Sequence, residues 1–374
     1  MLTNYIEIDI DKIINNIEKV KNMNNQTPIC AVVKANAYGL GAVPIATYIE
    51  DYVSYFAVAR YSEAKALRIS GIKKPILILG YVSVEEAIKC AEYDIDICIF
   101  DLDYTFEIDR ALEDKKLNGH LAIDTGHTRL GFRSYETQKI LSLKDLKNIN
   151  IRGAFTHYAT ADEKDMSFSK LQTKLFEDTI SKIRNELNIE NVHIANSAAG
   201  INFDVKSDMI RLGISMYGIY PSNYLKETSN IELEKVFKFK SRIAFVKDVK
   251  KGTPISYGRT FYTPKDMKIA TVPIGYADGY IRAFSNEGEV LVNGKNSRVC
   301  GRVCMDQMMI DVTDIECKIG DEVELYSDIY KEANKINTIA YELMTSFDMR
   351  LVRLYKKDGE VIKVDDYIGE IYEN

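Results

Sequence analysis

The feature that most constrains the fold is an alternation of short apolar runs with amphipathic stretches through the first two-thirds of the chain. Apolar runs such as Pro28–Lys34 and Pro75–Leu79 are typical of strands buried on both faces of a parallel sheet. Stretches such as Phe168–Ile183 repeat apolar residues at helical spacing. About eight such units, each an apolar run followed by an amphipathic stretch, precede residue 230. This number, together with the length, predicts an α/β fold with an N-terminal (β/α)8 TIM-like barrel.

The pattern changes after residues 221–234, a polar stretch that indicates a linker. From Phe237 onward, short strands and tight turns dominate. The Asn293–Gly294 pair between two short runs predicts a two-residue hairpin. We therefore expect two domains, a barrel at 1–234 and a mostly-β C-terminal domain at 235–374.

Composition excludes several classes of function. The 374 residues carry 49 Lys and Arg against 55 Asp and Glu, a net charge of −6, so no basic surface for nucleic acid is expected. No apolar stretch approaches the roughly 20 residues that cross a bilayer, and the acidic N-terminus is not a secretory signal. Cys300 and Cys304 lack further clustered ligands, so no metal site is expected. These features predict a cytoplasmic enzyme, in which His120, His127 and His193 are structural or exposed.

Lys34 is the first residue that suggests chemistry. It follows an apolar strand and so lies at the end of a barrel strand where active sites form. A lysine in partly dry surroundings has a lowered pKa and becomes a nucleophile. A lysine that reaches solvent from a strand end is the alternative. The small residues and glycines that follow, within Ala35–Gly41, leave space around it.

The segment Val33–Gly39 resembles the pyridoxal-phosphate (PLP) attachment motif of the bacterial alanine racemase family. Further blocks agree with that family in the same order over nearly the whole chain: Asp124–Gly126, Arg129–Gly131, Thr156–Asp162, Asn196–Ala199, Arg211–Gly218, Ser256–Gly258, Gly275–Gly279 and Gly301–Gln307. The family has an N-terminal barrel and a C-terminal β domain, as the alternation pattern also predicts. The resemblance implies a PLP-dependent racemase that interconverts L- and D-alanine and supplies D-alanine for peptidoglycan.

The resemblance implies a two-base mechanism. Lys34 would attach PLP and move a proton on one face of the substrate, and Tyr257 of the partner subunit would act on the other. The site would therefore exist only in a homodimer. A phenol is a weak base at neutral pH and needs a supporting neighbour, which the family supplies as a histidine, here His157.

The remaining site residues are also carried over from the family. Arg211 would donate a hydrogen bond to the pyridine nitrogen, since a guanidinium keeps its proton. The resemblance also places eight residues around the ligands: Tyr38, His157, Ser197, Gly213 and Ile214 against the cofactor, with Arg129, Met305 and Tyr276 toward the substrate.

Two departures from the family leave the substrate open. Many members carry a carbamylated lysine where this chain has Ala122, so Arg129 would need another counter-charge, such as a bound anion. Met349 stands where most members have a tyrosine close to the substrate. The alternatives are therefore a serine or serine/alanine racemase of a vancomycin-resistance type system and, outside enzymes, a non-catalytic PLP-binding homeostasis protein. A barrel decarboxylase would need other motifs around the lysine. The resistance-type serine racemases are fused to a membrane domain, and this chain shows no membrane segment.

Overall fold

The computed structural model describes residues 2–204 and 206–373 and divides into two compact units. The barrel unit comprises Lys12–Ala37 and Ala42–Lys235. The β unit comprises Met1–Asp11, Tyr38–Gly41 and Val236–Asn374.

Parallel strands form the centre of the barrel unit. Two four-stranded paths are joined by bridges between Leu77 and Asp96 and between Asn196 and Arg211, which close the ring. The eight strands, in order around the barrel, are Ile29–Val32, Tyr55–Val58, Ile76–Ile78, Ile97–Ile99, Leu117–Asp124, Ile149–Phe155, Asn191–His193 and Ile210–Leu212. The fold class is the predicted (β/α)8 barrel.

A helix follows every barrel strand. The first strand is buried at all four positions, which explains its unbroken apolar run. Side-chain caps begin several helices, as where the Ser83 Oγ accepts from the Glu86 N–H. The helices are Ile10–Met23 before the first strand, then Ala42–Ile49, Tyr61–Ile69, Val84–Glu92, Leu102–Ala111, Thr137–Leu141, Ser167–Ile183, Ser197–Asn202 and Asn223–Thr228.

The β unit is built on a seven-stranded, mostly antiparallel sheet. Its strands, in spatial order, are Lys295–Arg298, Glu289–Val292, Glu322–Leu325, Phe237–Arg242, Tyr5–Asp9, Val352–Lys357 and Glu360–Asp365. Smaller sheets contain Phe245–Val249, Met267–Val272 and Met308–Asp311, and the pair Pro254–Ile255 with Phe261–Tyr262. Its helices are Ile329–Lys335, Ala340–Thr345 and Tyr367–Glu373.

The N-terminal strand differs from the sequence-based expectation. Tyr5–Asp9 was expected within the barrel at 1–234, but it pairs with Phe237–Arg242 and Val352–Lys357 in the β unit. The strand is alternately buried and half-buried, a pattern that fits a sheet with one covered face. Alternation identifies a strand but not its partner.

The predicted hairpin is present at Asn293–Gly294. Val292 pairs with Lys295 across the turn, and both turn residues have positive φ, at 51° and 77°. These values suit a two-residue turn in which asparagine and glycine tolerate the left-handed region. Among the described residues, no helix has the length and apolar character that a membrane crossing requires.

Candidate active site

The barrel places most of the predicted site residues at the carboxyl ends of its strands. Lys34 follows the first strand by two residues, and His157 follows the sixth by two. Arg211 lies within the eighth strand, and Gly213 follows that strand directly. Ser197 begins the helix after the seventh strand. The carboxyl end of a barrel is where side chains from several strands can converge on one ligand.

Lys34 begins an unusual backbone turn. The next four residues, Ala35 to Tyr38, all have φ between 52° and 55°, in the left-handed region. The Ala35 N–H donates to Glu63 Oε1 at 2.6 Å, and the Ala42 N–H donates to Asn36 Oδ1 at 2.8 Å. Residues without a glycine's freedom cost about 1–2 kcal/mol each in this region. Such strain is typical of functional sites.

The surroundings of Lys34 favour its neutral amine. Burial lowers the pKa of the Lys34 amine, and the Arg129 guanidinium lowers it further, while Glu63 opposes both. A lysine with a lowered pKa has more free amine near neutral pH and can act as a nucleophile.

Arg211 is held by a dense set of hydrogen bonds. Its Nη1 donates to His193 Nδ1 at 2.9 Å and to the His193 carbonyl at 2.7 Å. Its Nη2 donates to the Thr156 carbonyl at 2.6 Å, with the Ile194 carbonyl at 3.2 Å and His157 Nδ1 at 3.4 Å. Within the described chain, the Nε–H has no protein acceptor. Arg211 therefore presents one free donor to a ligand.

The surroundings of His193 decide between two alternatives that the sequence leaves open. Of the two, structural or exposed, the first is confirmed for His120 and His193, because both are fully buried, and His193 also contacts Arg211. His120 Nδ1 lies 2.8 Å from His193 Nε2, and its Nε2 lies 3.2 Å from Tyr55 Oη and 3.4 Å from Asp96 Oδ2. The available signal was a polar residue inside each of several apolar strands, such as Asp96 within Ile95–Phe100.

Small polar groups near Gly213 form a candidate phosphate cradle. The Gly213 N–H donates to Ser197 Oγ at 2.8 Å. Ser215 Oγ is buried without a hydrogen-bond partner in the part of the chain that the structure describes. Ile214 opens a short 3₁₀ turn whose first N–H groups have no acceptor within the turn. Backbone and hydroxyl donors of this kind bind anions.

Arg129 and His157 line one pocket in the barrel unit, together with Ala122. Burial lowers the pKa of His157 well below its usual range, and the Arg211 guanidinium adds to the effect. Ala122 packs in an apolar cluster with Cys98 and Phe155. The Asp124 carboxylate of the same pocket pairs with Arg133 at 2.8 Å, so a bound anion beside Arg129 stays a prediction.

In the β unit, Tyr257 lies on a second strained segment and is 71% exposed. Ser256 has φ 64° and ψ −178°, a region that is almost restricted to glycine. Ser256 Oγ donates to the Arg302 carbonyl at 2.6 Å, and Gly258 and Arg259 also have positive φ. The chain therefore holds a phenol toward solvent on a backbone that costs energy to form.

The β unit also brings Tyr276 next to Met305. The Tyr276 N–H donates to the Cys304 carbonyl, and the Ala277 N–H donates to the Met305 carbonyl, each at 3.0 Å. Tyr276 and Met305 are both exposed. Tyr38 is instead buried in this unit, with its ring 6.1 Å from that of Tyr341, and burial raises the pKa of its phenol.

Comparison with known proteins covers both parts of the chain. Residues 8–221 match the family model "Alanine racemase, N-terminal domain", and residues 236–355 match "Alanine racemase, C-terminal domain". An alanine racemase of Clostridium perfringens is 42% identical, with 97% of this chain and 98% of that protein covered.

Solved structures are similar over the same length. The alanine racemase of Clostridium difficile 630 has a TM-score of 0.93 at 36% identity, covering 98% of this chain and 99% of that one. The alanine racemase of Bacillus anthracis, solved with bound L-Ala-P, has a TM-score of 0.93 at 35% identity, with 99% of both chains covered. With both family models matched in order and relatives similar along their whole length, this chain belongs to the alanine racemase family.

Proposed function

We propose that the chain is a PLP-dependent racemase that interconverts L- and D-alanine in the cytoplasm and so supplies D-alanine for peptidoglycan. The observation that carries the proposal is the setting of Lys34. Its pKa is lowered by burial and by Arg129, and it stands at the carboxyl end of a barrel strand before a strained left-handed turn. Membership of the alanine racemase family supports the same activity.

The residues of the barrel unit suit PLP. The free Nε–H of Arg211 matches an acceptor such as a pyridine nitrogen, because a guanidinium can only donate. The unpartnered Ser215 Oγ, the Ile214 amide and the Ser197 hydroxyl offer donors to a phosphate, and the Gly213 N–H holds Ser197 Oγ in place by donating to it. His157 is a further candidate in this unit to contact the cofactor, and we also propose that role for Tyr38 of the β unit.

When bound, PLP supplies an electron sink for the negative charge that forms at the substrate Cα. Lys34 would hold the cofactor through its amine, and the same amine would take or return the proton on one face of Cα. Tyr257 does the same on the opposite face, with His157 as its proposed support. Arg211 keeps its proton, so it polarises the ring without transferring a proton to it. Arg129, Met305 and Tyr276 bind and orient the substrate.

We also propose that the active enzyme is a homodimer, with Tyr257 supplied by the partner subunit. The exposed phenol of Tyr257 on its strained segment supports this assignment, because an exposed aromatic side chain held at an energetic cost is typical of an interface contact. On this proposal the barrel unit, Lys12–Ala37 with Ala42–Lys235, binds PLP, and the β unit contributes the second base.

The experiment is to incubate the purified protein with PLP and either L-alanine or L-serine, and to measure the D-enantiomer formed. We expect rapid formation of D-alanine and little D-serine. Comparable or faster D-serine would place the protein with serine racemases and would make Ala122 and Met349 determinants of that preference. PLP binding without either product would support the non-catalytic alternative.

A further inference from the structure

The buried polar residues behind Arg211 form a continuous chain of contacts across the barrel interior. His193 lies on the seventh strand and His120 on the fifth, with the sixth strand between them, yet their ring nitrogens are 2.8 Å apart. The hydroxyl of Tyr55, on the second strand, reaches His120 at 3.2 Å and also donates to Asp96. Contacts between strands that are not neighbours must cross the interior of the barrel.

Gly153 leaves room for this chain of hydrogen-bonded side chains. A Cβ added at Gly153, on the sixth strand, would lie 2.3 Å from His120 Nδ1. Only a residue without a side chain allows the His120 ring to lie against that strand and reach His193. The sixth strand therefore has no side chain at the point where the two histidine rings meet.

Because Arg211 can only donate, its bond to His193 fixes which ring nitrogen of each histidine carries the proton. A guanidinium only donates, so His193 Nδ1 must accept from Arg211. His193 then carries its proton on Nε2 and donates it to His120 Nδ1. His120 must therefore carry its own proton on Nε2, where it faces the Asp96 carboxylate and the Tyr55 hydroxyl oxygen. Adding a second proton to either ring would set two donors against each other.

The hydrogen-bond chain also connects two buried charged groups, Arg211 and Asp96. Arg211 is 4% exposed and Asp96 is 2% exposed. No carboxylate of the described residues lies within ion-pair distance of Arg211. Burying a cation without a counter-charge costs free energy. A polarised chain of hydrogen bonds transmits part of the stabilisation by the Asp96 carboxylate to Arg211. Arg152 Nη1 also faces Asp96, at 3.9 Å, so the carboxylate is shared between the chain and a half-buried arginine.

We propose that Asp96, His120 and His193 are positioning residues for the reaction, which hold Arg211 as an oriented, cationic donor through a hydrogen-bond chain that runs one way from guanidinium to carboxylate. Tyr55 secures the carboxylate end. The inference rests on the proposed function, because the oriented donor matters only if Arg211 faces the pyridine ring of PLP.

The first test measures the histidine tautomers directly. The sequence has only four histidines, so ¹⁵N labelling of histidine in the full-length holoenzyme gives few signals, which single substitutions assign. We expect His120 and His193 each to carry a single ring proton, on Nε2, in the folded holoenzyme. A proton on Nδ1 of either ring, or a doubly protonated ring, would overturn the chain.

The second test removes the charge at the carboxylate end. Asp96→Asn keeps the shape of the side chain, and we expect it to change the visible absorption spectrum of bound PLP. We also expect kcat to fall about tenfold with KM little changed, by analogy with the loss when a carboxylate behind a metal-ligating histidine is removed. Tyr55→Phe removes the hydroxyl contacts with Asp96 and His120 but keeps the charge of Asp96, so its spectrum should stay close to wild type.

A matched control is Asp109→Asn. Asp109 is also buried, and its carboxylate accepts N–H groups from Lys147, Asn148 and Ile149, outside the chain to Arg211. We expect this variant to lower stability without changing the cofactor spectrum. An unchanged spectrum in Asp96→Asn, or the same change in both variants, would overturn the proposal. If the wild-type protein neither binds PLP nor racemises alanine, the proposed function fails instead, and the same tautomer measurement on the cofactor-free protein decides whether the hydrogen-bond chain exists.

Discussion

At the scale of single residues, the reactivity of Lys34 depends on what surrounds its amine. Burial disfavours the charged form, and the nearby positive charge of Arg129 disfavours it further. The chain then offers a nucleophile at lower pH than an exposed lysine would. Arg211, in contrast, stays protonated at neutral pH, although burial lowers its pKa to about 10.

The first prediction concerns Arg129→Gln. Removing this positive charge should raise the pKa of the Lys34 amine toward its ordinary value near 10.4. The rate at which cofactor-free protein captures PLP should therefore rise only at higher pH than in wild type. Arg133→Gln is the control, because Arg133 instead pairs with Asp124 at 2.8 Å. Equal pH profiles for the two variants would contradict the electrostatic account.

The sequence predicted Lys34 at the carboxyl end of a barrel strand but did not identify the buried residues behind Arg211. Lys34 stands out because a cation ends an apolar run. His193 and Asp96 were not identified, since their contacts join strands far apart in sequence. A polar residue in a buried strand must find a partner, but the sequence does not say which one.

At the scale of elements, both proposed bases adjoin strained backbone. Ala35 to Tyr38 follow Lys34 with positive φ, and Ser256 precedes Tyr257 in a region almost restricted to glycine. The apolar strands and the Asn293–Gly294 hairpin could be predicted from local patterns. A left-handed run that contains alanines could not, because local preference opposes it and only the surrounding contacts maintain it.

The second prediction concerns Ala35→Gly in the left-handed turn. Glycine adopts φ 52° without steric cost, so the free energy of unfolding should increase by about 1 kcal/mol. The control is Ala66→Gly within the helix Tyr61–Ile69, where glycine should decrease it by about 1 kcal/mol. Denaturant unfolding measures both. A decrease in both variants would show that the turn is not strained.

At the scale of the whole molecule, the ends of the chain meet in one sheet. Tyr5–Asp9 lies between Phe237–Arg242 and Val352–Lys357, a pairing that links residues more than 200 positions apart. The alternation pattern assigned this strand to the barrel because it carries no information about long-range partners. The proposed dimer lies at the same scale, since it gives each site residues from two chains.

The third prediction tests the shared site by mixing two inactive variants. Lys34→Ala and Tyr257→Phe should each fail to racemise alanine alone. A dimer with one subunit of each variant should contain one intact site. After exchange of subunits at equal amounts, we expect about a quarter of wild-type activity, since half the dimers are mixed. A site formed within one chain would give no recovery. Size-exclusion chromatography with light scattering checks that dimers are present.

The central claim is that two bases act on opposite faces of the substrate. The most direct measurement is the rate at which Tyr257→Phe exchanges the α-proton of L-alanine and of D-alanine in deuterated water, with each enantiomer supplied separately. The account predicts that exchange from one enantiomer is lost by about 10²- to 10⁴-fold, the range for a general base. Exchange from the other, which depends on Lys34, should be much less affected. Equal loss for both enantiomers would contradict the assignment of Tyr257 as the second base.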